Sequence, residues 1–311
     1  MKIAIFGATS QIAKDLVISF FENTDFECVL FSRDVLKVEK QFRDLGIKIS
    51  YLNLTYDSFS KDDTYDLIIN FVGVGNPADA IKMGSDIFEI TEYYDNLALS
   101  YLKAHLSCQY IFISSGAVYG GNFETPVNEN TKATIDINNL KETDWYAVSK
   151  IYSEARHRAL KGSSIVDVRV FNYFSHTIDI NSGFMIAEMI RAIKTKNVFL
   201  TTTENIVRDF LTPLDFFNLI MVIINFRELI NLSIDCYSRS PIDKLSLLGE
   251  LSKQFGLRFG FEDSIKFVNA TGSKLNYFSN NRVAMQLGYR PLNTSKSGIL
   301  SEISLLNIDS E

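Results

Sequence analysis

Residues 144–150 read Asp-Trp-Tyr-Ala-Val-Ser-Lys and place a phenol, Tyr146, and an ammonium, Lys150, four residues apart. On a helix that spacing puts both side chains on one face, one turn apart. A free tyrosine ionises at about pH 10 and is a poor acid or base at neutrality, but a cation held beside it favours the phenolate and lowers that value. The pair is therefore a candidate for proton transfer. The same spacing also suits an amphipathic helix with a packed tyrosine and a solvated lysine, so the elements around it have to decide.

A chain of 311 residues can bury a large core, and roughly two domains are expected at that length. With 46% apolar and 22% charged residues the composition is that of a globular protein. The net charge of −6 argues against nucleic acid or an anionic membrane as partner, because both attract basic surface. Cys28, Cys108 and Cys236 are odd in number and far apart, and two of them lie in apolar runs. They are expected to be buried, reduced thiols in a cytoplasmic protein. Neither they nor the three histidines show metal-ligand spacing. The N-terminus, MKIAIFGATS, has no long apolar stretch and is not expected to be a signal peptide. The longest apolar run, 216–226, is too short to span a bilayer and is expected to be a buried helix.

The first half alternates short apolar runs with helical spacing. Strands are expected at 2–6, 27–31, 47–52, 66–73, 108–114 and 163–172, with helices at about 11–21, 35–45, 85–105 and from 143 to 160. The apolar runs are continuous rather than alternating, which predicts a parallel sheet covered on both faces. The fold class is thus α/β, a Rossmann-type doubly wound sheet. Residues 116–142 carry little periodicity and are expected to be a loop. Beyond about 172 the pattern becomes irregular, which suggests a smaller C-terminal α/β domain. The expected division is a dinucleotide-binding domain over 1–171, to which the segment at about 208–236 returns, and a substrate domain over 172–311.

The first strand runs straight into Gly-Ala-Thr-Ser-Gln-Ile-Ala and a helix. Gly7 permits a sharp turn, and the helix N-terminus at Ser10, Gln11 and Ile12 offers N–H groups and a dipole to a pyrophosphate. A full G-x-x-G-x-x-G fingerprint would have glycine at Ser10 and Ala13 as well, so the motif is incomplete. The second strand ends in Ser32 and Arg33, with Asp34 one place later. A ribose 2′-hydroxyl is usually met here by a carboxylate, whereas a 2′-phosphate wants hydroxyls and cations. Ser32 and Arg33 favour NADP (as NADPH) over NAD. The competing reading is a solvated Arg33 with Asp34 capping the next helix.

With these elements in place the chain resembles the extended short-chain dehydrogenase/reductases, the NAD(P)-dependent nucleotide-sugar epimerases, dehydratases and 4-ketoreductases. IFISSGAVYGG (111–121) is similar to the family's fifth-strand motif, WYAVSK carries the Tyr-x-x-x-Lys pair, and DVRVFNYF (167–174), VRDFLTPLD (207–215) and LGYRP (287–291) resemble three later motifs in the family's order. The resemblance implies that Ser115 joins Tyr146 and Lys150 in catalysis. It implies Asn53 and Leu54 beside the adenine, Phe71, Val72 and Gly73 near the adenosine ribose, and Asn96 in support of the active-site network. It also implies Phe171 beside the nicotinamide, with Asn172 and Arg208 facing the substrate diphosphate. The family's homodimers form through two helices that match 85–105 and 143–160. Leu97, Leu99, Leu102, Ile151 and Leu160 are apolar there and are expected to contribute to such an interface.

In the family's mechanism Tyr146 exchanges a proton with the sugar oxygen, Ser115 hydrogen-bonds it, and Lys150 tunes Tyr146 and holds the nicotinamide ribose. The 4,6-dehydratases place Asp and Glu after the catalytic Thr, where this chain has Gly116 and Ala117, so dehydration is not expected. Epimerase-reductases place Cys at the position of Ala117, and His176 alone does not complete their acid/base pair; it is expected to lie in a loop near the substrate. The remaining readings are an NADPH-dependent 4-ketoreductase acting on a nucleotide-diphosphate sugar, an NAD-dependent 4-epimerase and, from a different class, a non-catalytic NADP-sensing regulator. An intact Ser115, Tyr146 and Lys150 argues against the regulator.

Overall fold

The computed structural model describes residues 1–306 except 75–79, 81, 122, 227 and 265–273. Through residue 170 the elements are β1 (Lys2–Phe6), α1 (Gln11–Asn23), β2 (Glu27–Phe31), α2 (Val35–Asp44), β3 (Leu52–Leu54), β4 (Leu67–Asn70), α3 (Asp86–Leu102), β5 (Gln109–Ser115), α4 (Glu142–Ala159) and β6 (Ile165–Val170). Then follow β7 (Asn172–Tyr173), α5 (Met185–Thr195), β8 (Val198–Thr201), β9 (Val207–Arg208), β10 (Phe210–Leu211), α6 (Pro213–Asn225) and β11 (Asn231–Asp235). The chain ends with β12 (Ile242–Asp243), α7 (Lys244–Phe255), β13 (Arg258–Phe261), β14 (Asn276–Tyr277) and α8 (Ser295–Ser304).

Seven strands form one parallel sheet in the order β3-β2-β1-β4-β5-β6-β11, a Rossmann-like arrangement. The order reverses between β1 and β4, where such sheets open a crevice at the strands' carboxyl ends. The strands alternate their side chains between two apolar layers, as period-2 geometry requires. Ile3, Ile5, Ile111, Ile113 and Val168 pack with Leu16 and Phe20 of α1, Val38 and Phe42 of α2, and Phe216, Ile220 and Ile223 of α6. Ala4, Phe6, Ile68, Tyr110 and Phe112 pack on the opposite face with Leu99 and Leu102 of α3. The apolar run at 216–226 is thus the core face of α6, and β11 follows it into the sheet beside β6.

The remaining elements build a second core, which includes Phe174, Ile186, Ile190, Leu247, Leu251, Ile299 and Ile303. Three small sheets accompany it: β7 with β10, β9 between β12 and β14, and β8 with β13. Polar contacts tie this lobe to α1. Thr177 and Tyr173 donate to Asp15 (2.5 and 2.9 Å), Lys14 Nζ donates to the Thr177 carbonyl (3.0 Å), and Gln11 donates to Ser175 (3.0 Å).

Two expectations fail here. The third strand does not occupy 47–52 but begins at Leu52, which pairs with Val29. Residues 47–51 turn out of α2 at Gly46, and Ile49 and Tyr51 pack against the core instead of bonding to β2. Of the apolar residues named for a dimer interface, Leu99 and Leu102 are buried in the core, Leu97 and Leu160 are partly buried against the same cluster, and Ile151 is partly buried against a cluster around Phe171. The apolar character of Leu99 and Leu102 is accounted for by the chain's own packing.

Candidate active site

β5 delivers Ser115 at its carboxyl end, where the chain enters a tight 3-10 turn over Gly116–Tyr119. The Ser115 hydroxyl caps that turn by accepting from the Ala117 N–H at 3.1 Å. Tyr146 and Lys150 lie on α4, whose start is fixed by the Asp144 carboxylate accepting from the Lys141 N–H (2.9 Å). Lys150 reaches under the sheet end, donates to the Ile113 carbonyl (2.9 Å) and lies 4.2 Å from the Phe112 ring centre and 6.0 Å from that of Tyr146. Burial pushes the Tyr146 phenol up, and the Ser115 hydroxyl beside it pulls it back toward the ionised form. The sequence-predicted trio therefore converges on one spot.

Lys150 is 2% exposed. Burial lowers its ammonium to about 8, against the pull of Asp95, Glu154 and Asp167. Those carboxylates belong to a polar layer on the sheet side of α4. His157 is fully buried between two of them, with Nδ1 2.6 Å from Asp167 and Nε2 2.8 Å from Asp95. Burial works against charge on the imidazole, but the bonds to Asp167 and Asp95 outweigh it and raise its value to about 9. Tyr110 donates to Asp95 (2.9 Å) and accepts from Asn70 (2.9 Å), whose carbonyl oxygen accepts from the Val72 N–H (2.9 Å). The same layer continues through Glu154, which accepts from Ser114 (2.6 Å) and is forked by Arg169 (2.6 and 3.0 Å).

At the switch point Gly7 holds a left-handed backbone (φ 74°), and a Cβ there would lie 2.9 Å from backbone atoms of Phe71 and Val72. Only glycine lets β1 and β4 end this close together. α1 then starts without a side-chain cap at Ser10 and without an acidic residue in its first turn, which leaves its N-terminal N–H groups and dipole for an anion. Ser32 is 2% exposed and its hydroxyl has no partner among the described residues; the Asn53 side-chain oxygen is likewise buried and without a partner among them. Orphaned buried polar atoms at this end fit a bound ribose or adenine. Gly73 lies next to Lys150, where a Cβ would come within 3.3 Å of Nζ. Gly7, Ser10, Gln11, Ile12, Ser32, Asn53, Leu54, Phe71, Val72 and Gly73 thus stand at or just beyond the carboxyl ends of β1 to β4 and at the start of α1.

Arg33 is exposed at the tip of β2, and its charge acts on the phenols of Tyr56 and Tyr94. Asp34 is occupied as the N-cap of α2, accepting from the Lys37 N–H at 2.9 Å. Tyr56 is a residue that sequence reasoning missed: its hydroxyl accepts from the Gly7 N–H (2.7 Å) and its ring lies 4.4 Å from that of Tyr94.

On the substrate side Phe171 packs against the 3-10 turn, so that a Cβ on Gly116 would lie 2.4 Å from its ring. Arg208 donates to the Val207 and Leu275 carbonyls, and burial lowers its guanidinium to about 10. It does not pair with Asp209, which accepts instead from Ser238 and Ser295. Two residues absent from the sequence reading stand here. Tyr277 of β14 brings its hydroxyl 3.3 Å from Ser115 Oγ, and Lys274 lies 4.4 Å from the Tyr277 ring centre and 4.8 Å from that of Phe123. Burial, reinforced by nearby Arg208, lowers the Lys274 ammonium to about 7. No local pattern marks either residue.

Three expected roles are redirected. The Asn96 side chain accepts from Arg156 between α3 and α4 and is not turned to Ser115, Tyr146 or Lys150. Asn172 uses its amide to donate to the Asp209 and Tyr277 carbonyls (3.3 and 3.2 Å), stitching β7 to the strands beside it. His176 is held by Glu302 of α8 (2.8 Å), because its loop is drawn onto α1 and α8.

The sequence model of the NAD dependent epimerase/dehydratase family matches residues 3–232. The chain belongs to this family. No curated protein sequence matches it. Among solved structures, UDP-glucuronic acid 4-epimerase from Bacillus cereus, in complex with UDP-glucuronic acid and NAD, is similar at 16% identity over 98% of each chain, with a TM-score of 0.75. UDP-glucose-4-epimerase from Stenotrophomonas maltophila, with bound NAD and formylated UDP-arabinopyranose, is similar at 14% identity over 98% of this chain and 97% of that one, with a TM-score of 0.77. dTDP-glucose 4,6-dehydratase from Bacillus anthracis, in complex with NAD, is similar at 14% identity over 98% and 96%, with a TM-score of 0.76. At such identities the likeness is one of fold, and this epimerase/dehydratase family member must be read from its own site. Among its described residues no helix is long and apolar enough to cross a membrane.

Proposed function

We propose that this protein is an NADPH-dependent reductase of a 4-keto nucleotide-diphosphate sugar, working through Ser115, Tyr146 and Lys150. The observation that carries the reading is the convergence of Tyr146, Lys150 and Ser115 at the end of β5, beside the switch point of the sheet. The bound cofactor supplies the hydride. Tyr146 supplies the proton to the carbonyl oxygen as it becomes an alcohol, and Ser115 donates a hydrogen bond to that oxygen while negative charge develops on it. Lys150 favours the tyrosinate that remains and offers its ammonium to the nicotinamide ribose hydroxyls. Gly73, whose missing Cβ would otherwise stand 3.3 Å from Nζ, supports that second role. Half-buried Arg208 and buried Lys274 bring basic groups to the substrate side, the charge that a diphosphate calls for.

The choice of NADPH rests on the tip of β2. Asp34 is committed to capping α2, Ser32 has an unused hydroxyl, and Arg33 is exposed where a 2′-phosphate would lie. A dehydratase reading is disfavoured by Phe171, whose ring occupies the space that a side chain at position 116 would need. The second reading is an NAD-dependent 4-epimerase, favoured by the similarity to 4-epimerases solved with NAD. Incubation with a UDP-4-keto-6-deoxyhexose and NADPH or NADH, and separately with UDP-glucose and NAD, tests both. Stoichiometric oxidation of NADPH supports the first reading, a C4 epimer without net cofactor turnover moves the assignment to the second, and no conversion in either assay defeats both.

The protein is further proposed to be a cytoplasmic homodimer, joined through the outer faces of α3 and α4. There Phe88, Glu92, Val148 and Tyr152 line a shallow groove, and Tyr93 and Tyr152 are 58% and 47% exposed.

A further inference from the structure

Ser115 is useful to the reacting oxygen only as a donor, and a serine hydroxyl has one proton and two lone pairs. The Ala117 N–H occupies one lone pair at 3.1 Å. The Tyr277 hydroxyl lies 3.3 Å from the same Oγ, arriving from the second lobe across 162 residues of sequence. If Ser115 donated to Tyr277, its proton would be spent away from Tyr146. The chemistry around Tyr277 favours the opposite direction, because a phenol is a better donor and a poorer acceptor than an aliphatic hydroxyl. Lys274 and Arg208 lie 4.4 and 6.0 Å from its ring centre and draw electron density from it.

The Tyr277 backbone is equally constrained. It pairs with Arg208 in the small sheet and its carbonyl accepts from Asn172, while its ring packs against Phe123 (4.8 Å) and Phe171 (5.2 Å). Burial keeps the phenol protonated, with its value pushed well up.

We infer that Tyr277 is a positioning residue whose phenolic proton fills the second lone pair of Ser115, so that the Ser115 proton is left for Tyr146 and the reacting oxygen. The inference rests on reading Ser115 and Tyr146 as the reacting pair. It makes the second lobe a contributor to the proton geometry of the first, because only when β14 is seated does Ser115 have both lone pairs filled.

The test uses tyrosine labelled with 13C at Cζ, whose shift reports hydrogen bonding at the phenol oxygen. Tyr146→Phe and Tyr277→Phe assign the two resonances of interest among the 14 tyrosines. In Tyr277→Phe the Tyr146 resonance is expected to move, since Ser115 is free to rotate; in a Ser115→Ala background the same change should leave Tyr146 still. A Tyr146 resonance indifferent to Tyr277→Phe, or one that moves equally without Ser115, overturns the inference. This arm needs no substrate, so it remains readable if the proposed reaction fails. On a substrate that the wild type turns over, Tyr277→Phe should lower kcat about five- to tenfold, the worth of one neutral hydrogen bond, with KM little changed. No additional loss should appear in Ser115→Ala, and additive losses would count against the inference.

Discussion

The Phe171 ring lies against Gly116 so closely that a Cβ on the glycine would stand 2.4 Å from two of its ring atoms. The contact joins the end of β6 to the turn that follows Ser115, and it sets how far the serine can move. Gly116→Ala is expected to destabilise the protein by about 1–3 kcal/mol, as overpacking in a dense core does. The double variant Gly116→Ala/Phe171→Leu should lose less than the sum of the two single changes, because the leucine vacates the space that the methyl group needs. Denaturant melts of the four proteins check this, and strict additivity would show that the contact is not what limits position 116.

Tyr146→Phe should abolish turnover and leave cofactor affinity within a few-fold, because in the proposed mechanism the hydroxyl acts on the reacting oxygen alone. Lys150→Met should damage both, as Lys150 is proposed also to hold the cofactor ribose. Lys150→Met should at the same time raise the melting temperature of the free protein near pH 7, since it removes a buried ammonium that makes no ion pair of its own among the described residues. Parallel titration of cofactor and thermal melting separate the three effects. A lysine variant that binds cofactor normally would remove Lys150 from the ribose.

His157 gives the fold a pH dependence whose sign can be worked out. Its value is raised from 6.5 to about 9 in the folded protein by the two carboxylates bonded to it. The folded state therefore holds the proton more tightly than the unfolded one. Its contribution to stability is fully present below about 6.5 and is lost as pH rises through about 9. Stability measured between pH 6 and 10 should fall across this window, and His157→Gln should lack that part of the slope. The variant should also be weaker at neutral pH by roughly 1–3 kcal/mol, because Asp95 and Asp167 lose the cation between them and keep Arg156 and Arg158 as ion-pair partners. A wild-type profile that is flat from 6.5 to 9 would show that the imidazole is neutral.

Much of the fold was readable because it is written locally. Continuous apolar runs at β1, β2, β4 and β5 mark strands buried on both faces, and the spacing of Tyr146 and Lys150 needs only one helix. What escaped depends on partners far along the chain. β3 slips to Leu52–Leu54 because pairing with β2, not the apolar alternation of 47–51, decides where hydrogen bonds form. Asn96 is claimed by Arg156, sixty residues on, and the leucines of α3 are claimed by the sheet. Tyr277 reaches Ser115 only through the pairing of β14 with β9, and no spacing rule in the sequence anticipates that meeting.

Cofactor choice is decided at the tip of β2, and the structure sharpens its test. Asp34 accepts from the Lys37 N–H, so turning it toward a ribose hydroxyl would cost α2 its cap, roughly 0.5–2 kcal/mol. Arg33 is exposed and carries its charge beside Tyr56 and Tyr94, and Ser32 offers an unpartnered hydroxyl one residue earlier. A 2′-phosphate carries close to two negative charges, and a charge-assisted hydrogen bond contributes roughly 1.5–3 kcal/mol. Arg33→Ala should therefore weaken NADPH by about one to two orders of magnitude and leave NADH nearly unchanged. The loss should shrink as salt rises, because the guanidinium is exposed and screened. Ser32→Ala should weaken NADPH by a smaller factor and keep the preference. Titration of both cofactors against the three proteins at fixed ionic strength is the measurement. Equal losses for the two cofactors, or a wild type that prefers NADH, would transfer the assignment to the NAD-dependent 4-epimerase.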